Sequence, residues 1–123
     1  MGSSNINKYL VSTSSMDWKP LVEGNVDTRG ISYKVLHYNE KQRRPSSFIL
    51  KFEKGASYPF HNHPGGEEAF ILEGEVYFNE LKLVKGDYLF TPKNFKHSVK
   101  SETGCQILFI VPEEVEIMEA DTH

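Results

Sequence analysis

Cysteine occurs once in this chain, at Cys105, so no internal disulfide can form and no thiolate set exists for a closed structural zinc site. A reducing compartment is the natural home, and a cytoplasmic location is expected. Long hydrophobic runs are missing too: nothing approaches the ~20 apolar residues that cross a bilayer, so no membrane role is expected. Met1 to Trp18 is Ser- and Asn-rich, with Leu10-Val11 as its only apolar pair, and no apolar stretch precedes a cleavage-like site. Ile6 stands where a myristoylation motif requires Ser or Thr.

Clustered positive charge is equally scarce. Lys and Arg total 14 against 17 for Asp and Glu, giving a formal charge of −3, and Arg43-Arg44 is the one basic doublet. Nucleic-acid binding by counterion release needs a concentrated basic face, so no nucleic-acid partner is expected. The acidity sits in the tail, where Glu113, Glu114, Glu116, Glu119 and Asp121 follow Pro112 without a compensating cation, which leaves the body at +2. No Gly-x-Ser-x-Gly elbow, phosphate-binding glycine loop or paired-cysteine motif is present, which removes common hydrolase, nucleotide-binding and zinc-ribbon functions.

What the chain does contain is short runs of β-branched and aromatic residues, broken by Gly, Pro and Asn roughly every ten residues from Ile31 to Val111. This pattern predicts an all-β sandwich or barrel. The expected strands are 31–38, 47–53, 58–63, 67–72, 75–79, 82–84, 88–92, 97–102 and 106–111, with Glu73-Gly74 read as a break. Two blocks opening at Gly55 and Gly86 repeat a glycine turn, an apolar strand and a histidine, as two related halves would. At 123 residues the chain reads as one domain over 16–112, flanked by a flexible arm over 1–15 and an acidic tail over 113–123 that is expected to add a strand or a short helix through Val115 and Ile117 or Met118.

Three of the five histidines and one carboxylate form the constellation of interest. In a strand, residues i and i+2 share a face, so His61 and His63 aim both imidazoles into one region. Pro64-Gly65-Gly66 is a reversal expected to return the next strand antiparallel beside the first, bringing Glu67 to the rings. His97 arrives from the second block. Three imidazoles and a carboxylate suit one divalent transition ion per chain, Fe, Mn, Ni, Co or Zn, with open positions for water or a small-molecule ligand. Glu68 falls on the opposite face from Glu67. Ala69 and Ile71 share the face of Glu67, and Val99 that of His97, so these three are expected to line a pocket or fill the core. Cys105 opens an apolar strand with no basic neighbour and reads as an inert buried thiol, while His37 and His123 default to structural or solvated roles.

The full spacing resembles the cupin superfamily: Gly55, five residues, His61-Asn62-His63, three residues, Glu67, six residues, Gly74, and then Gly86, five residues, Pro92, one residue, Asn94, two residues, His97. The spelling His63-Pro64-Gly65-Gly66-Glu67-Glu68, Gly104-Cys105 and the placement of Trp18 and Pro20 are most similar to the ChrR-like branch, and acetylacetone-cleaving dioxygenases are similar at this level too. Asn94 replaces the family's usual Gly, a benign change because Asn tolerates left-handed backbone, and Ser101 replaces an Asn. The resemblance implies a small jelly-roll-like double-stranded β-helix with a metal held by His61, His63, Glu67 and His97. It implies either a metal-dependent dioxygenase-like enzyme acting on a small oxygen-rich metabolite or a non-catalytic zinc-binding sensor module. Exposed edge strands need cover, so a homodimer is expected.

Overall fold

The computed structural model describes residues 5–118 and contains ten strands. They are β1 (Lys19–Pro20), β2 (Ile31–Asn39), β3 (Arg44–Phe52), β4 (Ser57–His63), β5 (Glu67–Phe78), β6 (Leu81–Val84), β7 (Tyr88–Thr91), β8 (Phe95–Lys100), β9 (Cys105–Ile110) and β10 (Glu116–Ile117). Every pairing is antiparallel. One sheet runs β1-β2-β3-β9-β5 with β7 on the far side of β5, and the other runs β10-β4-β8-β5 with β6 at its end. Strand β5 belongs to both, which curls the two sheets into a small barrel. The tail contributes a strand, β10, whose Ile117 lies opposite His61.

Alternation along the strands fills the space between the sheets. Phe52, Ile71, Ile107 and Val76 are fully enclosed, each contributing about 1.5–3 kcal/mol through burial. Phe109 of β9 packs against Phe48 and Phe78, with ring centroids 5.8 and 6.3 Å apart. The outer face of the first sheet leaves Phe70, Tyr88, Phe90 and Ile110 exposed. Ahead of β1, Ile6–Tyr9 and Thr13–Ser15 form single 3-10 turns. Lys34 donates to the Thr13 carbonyl at 2.7 Å, and Lys34 and Lys51 both place their ammonium groups over the Trp18 ring. No helix among the described residues is long and apolar enough to cross a membrane.

Two expectations about connectivity are corrected. Residues 67–72 and 75–79 are one strand, because the backbone passes through Glu73 and Gly74 with a register shift against β9 rather than turning back. Strand β5 also does not return beside β4. The Gly66 N–H closes a turn onto the His63 carbonyl at 3.1 Å, and Gly66 lies in the left-handed region at φ +80°, which sends the chain across to the opposite sheet to pair with β7 and β9. Strand β4 pairs instead with β8 and β10. Glu67 therefore meets the histidines across the barrel interior. His123, Glu119 and Asp121 lie outside the described residues.

Candidate metal centre

Local irregularity in β4 sets the site. A bulge shifts the β4–β8 register between the Tyr58–Val99 and His61–His97 pairs. It contains Pro59, which could not serve a regular central ladder. Two consequences follow. His61 and His97 become direct cross-strand partners, and Tyr58, three residues before His61, turns to the same inner face, with ring centroids 5.0 Å apart. The bulge carbonyl of Pro59 also accepts a hydrogen bond from His61 Nδ1 at 2.7 Å. His63 Nδ1 donates similarly to the Phe95 carbonyl at 3.0 Å. Each bond fixes the tautomer and leaves Nε2 free to ligate.

The three imidazoles lie 4.4–4.9 Å apart by ring centroid, and Glu67 reaches between two of them. Its Oε2 is 3.0 Å from His63 Nε2 and its Oε1 is 3.4 Å from His97 Nε2. One ligating atom from each of His61, His63, Glu67 and His97 lies within 4.8 Å of every other. Ligands about 2.0–2.2 Å from one ion are separated by roughly 3 Å when adjacent and somewhat over 4 Å when opposite, so the span matches a single ion after a few tenths of an ångström of contraction. All four residues are buried, and among the described residues His63 Nε2, His97 Nε2 and Glu67 Oε1 lack any hydrogen-bond partner. Orphaned polar atoms converging in an apolar interior carry a desolvation cost that a cation relieves. The donor set suits one divalent transition ion.

Burial drives the His61 imidazole down to about 4, so it is neutral and ready to ligate at physiological pH. At His63 burial also opposes protonation, but the Glu67 carboxylate outweighs it and holds this imidazole above its usual value. Glu67 is buried as well, and His63 and His97 together hold its carboxyl below the ordinary range. For His61 the folded state resists a proton that the unfolded chain accepts near 6.5, so metal-free protein loses stability as pH falls from 6.5 towards 4. The loss is on the order of 3 kcal/mol, partly offset by His63, whose raised affinity for the proton acts in the opposite sense. Thermal unfolding of metal-free protein between pH 7 and 4.5 tests this: the His61→Leu variant gives a flatter profile, and an unchanged slope contradicts the assignment.

The open side of the centre faces a cavity of about 540 Å³, onto which His61 and Glu67 look directly. Its walls are mostly apolar, with Leu21, Tyr33, Phe48, Leu50, Phe109 and Val115 among them, and Arg44, Glu23 and Glu114 bring charge to it. The Tyr58 hydroxyl donates to Glu23, and burial together with that carboxylate pushes the phenol well above its ordinary value, so it stays protonated.

Of the three residues expected at the pocket, Val99 lines the cavity, whereas Ala69 and Ile71 are wholly enclosed in the core and do not. Ala69 lies opposite the larger Phe109, whose ring takes the wall, and Ile71 lies opposite the equally buried Ile107. Glu68 points to the outer face, where it accepts from the Tyr88 hydroxyl at 2.7 Å. Cys105 is a buried free thiol, raised further by burial, and His37 is exposed. Asn94 adopts φ 64°, and its N–H donates to the His63 carbonyl at 2.7 Å. Ser101 is fully buried, donating to the Glu75 carbonyl at 2.6 Å and accepting from the Gly104 N–H at 2.9 Å.

Residues 7–114 match the ChrR cupin-like domain family. The chain belongs to that family. Among curated proteins, this cupin is 37% identical over 62 residues to the DNA damage-repair/toleration protein DRT102 of Arabidopsis thaliana, covering 46% of this chain and 20% of that one. It is 33% identical over 61 residues to the dimethylsulfoniopropionate lyase DddQ of Ruegeria pomeroyi, covering 46% of this chain and 30% of the lyase. The matches therefore span less than a third of either relative. Among solved structures, an acetylacetone dioxygenase from Acinetobacter johnsonii superposes with a TM-score of 0.77 at 20% identity, over 93% of this cupin and 80% of that chain, which shows the shared cupin fold.

Proposed function

We propose that this cupin is a mononuclear metal-dependent enzyme that acts on a small oxygen-rich metabolite, in the manner of a dioxygenase. The observation that carries the reading is the junction of a buried three-histidine, one-carboxylate centre with an apolar cavity, which His61 and Glu67 share. A closed structural site has no need of such a chamber, and about 540 Å³ falls in the range of small-molecule sites. The acetylacetone dioxygenase of the same fold and the partly similar DddQ lyase support small oxygen-bearing substrates.

A divalent ion held by His61, His63, Glu67 and His97 supplies Lewis acidity towards carbonyl and carboxylate oxygens. The chain's own residues do the rest. The Pro59 and Phe95 carbonyls hold two imidazoles in the ligating tautomer. The walls formed by Phe48, Leu50, Phe109 and Val99 exclude water from the reacting face. Tyr58, beside His61 and kept protonated, presents a fixed hydroxyl at the cavity wall. A zinc-binding sensor is the second reading, favoured by the family match to the ChrR cupin-like domain.

Elemental analysis of protein purified without added metal, followed by oxygen uptake with β-dicarbonyl and aromatic acid substrates, tests the proposal. Close to one iron or manganese per chain with substrate-dependent uptake is the expected result. Exclusive zinc with no turnover of any substrate defeats the enzyme reading in favour of the sensor.

A further inference from the structure

The cavity wall carries two chemically different features. One is the metal centre, and another part of the wall carries Arg44, the only Lys or Arg among the lining residues. Arg44 opens β3 next to the β2–β3 turn, where Arg43 takes φ 56°. Its Nη1 donates to the Val111 carbonyl at 2.8 Å and to Gln42 Oε1 at 3.1 Å, which anchors the guanidinium plane. No hydrogen bond uses Nε or Nη2 among the described residues, and Arg44 forms no ion pair there.

The surrounding charges do not satisfy it. Glu113 and Glu114 act on the guanidinium through space, but both are exposed, where water screens them, and neither is paired with it. Glu23 already accepts from the Tyr58 hydroxyl. Arg44 itself is half-buried, and burial disfavours its charged form despite the two carboxylates. A partly desolvated cation with unused planar donors, facing an apolar chamber, is matched by a carboxylate that binds two N–H groups side by side.

We propose that Arg44 is a specificity-determining residue, selecting small organic acids whose carboxylate sits on the guanidinium while chelating oxygens at the other end face the metal centre. The proposal rests on the metalloenzyme reading above. It excludes neutral dicarbonyls as preferred ligands.

A matched pair of ligands tests it by binding alone. In 4,6-dioxoheptanoate a carboxylate replaces the terminal methyl of heptane-2,4-dione, and the dicarbonyl is otherwise the same. Titrated calorimetrically into the Ni(II)-loaded protein without oxygen, the acid is expected to bind at least tenfold more tightly than the dione. Arg44→Gln should erase that preference while leaving dione affinity within about twofold. Arg44→Lys, which keeps the charge but not the fork, should retain part of it, and it reads the proposal alone if the Gln variant does not fold. Equal affinities in the unaltered protein, or an undiminished preference in both variants, overturn the role of Arg44 while dione binding upholds the metal-centred reading. Absence of binding by either ligand to fully loaded protein overturns both.

Discussion

Removing the bound ion with a chelator is expected to lower the midpoint of thermal unfolding by roughly 15 °C or more, a larger effect than most single substitutions produce. An ion present at a thousand times its dissociation constant stabilises by about 4 kcal/mol, and a domain of about 100 residues shifts by about 4–8 °C per kcal/mol. The structure gives the effect a local cause. Without a cation, Glu67 brings a carboxylate into the core at 5% exposure and His63 Nε2 and His97 Nε2 find no hydrogen-bond partner. The Glu67 carboxylate raises the affinity of His63 for a proton, and a cation competes for the same ring nitrogen. Substitution of His61 or His97 by alanine should reduce metal content from close to one per chain to near zero, read by elemental analysis. In those variants the chelator-dependent shift should vanish as well. Full metal content in both, with the shift intact, refutes the assignment of these ligands.

Two elementary rules made most of this site legible in the sequence. Period-two alternation places His61 and His63 on one face, and glycine punctuation marks where β4 ends and where the second block begins. Gly55 and Gly86, which open the two blocks, do take left-handed backbone at φ 85° and 94°. What escaped is what alternation cannot carry. The bulge at Pro59 changes parity, so Tyr58 joins the site although its spacing from His61 is odd; the proline inside a strand was the available signal. Arg44 and Glu23 reach the cavity from strand and loop positions whose distance from the histidines is a property of topology alone. Arg43-Arg44 was visible as a doublet, yet nothing in the sequence separates Arg43 from the neighbour that faces the cavity. Ala69 and Ile71 show the reverse error: alternation assigns them the inner face correctly, but it does not separate the closed core from the open chamber.

The passage of β5 through Gly74 is where the fold is most exposed to a single methyl group, and Gly74→Ala is expected to cost at least about 4 kcal/mol and to leave little soluble protein. Gly74 lies opposite Cys105 at the close approach of β5 and β9, in the left-handed region at φ 78°. A β-carbon there would stand 2.2 Å from the Gly104 carbonyl oxygen and 2.9 Å from Cys105 Cα, both backbone atoms that cannot rotate away. Left-handed geometry alone accounts for about 1–2 kcal/mol, and the collision adds to it. Gly55→Ala isolates the first contribution, because its φ is 85° yet nothing lies within 4 Å of its added β-carbon. Urea unfolding should therefore place Gly55→Ala within about 2 kcal/mol of the unaltered protein and Gly74→Ala far below it; similar values for the two contradict the steric argument. The consequence reaches the metal centre through one strand. Glu67 stands at the start of β5 in the sheet of β7 and β9, whereas the far end of β5 pairs with β8, the strand that carries His97. Any soluble Gly74→Ala protein is accordingly expected to lose metal along with stability, although residue 74 touches none of the four ligands.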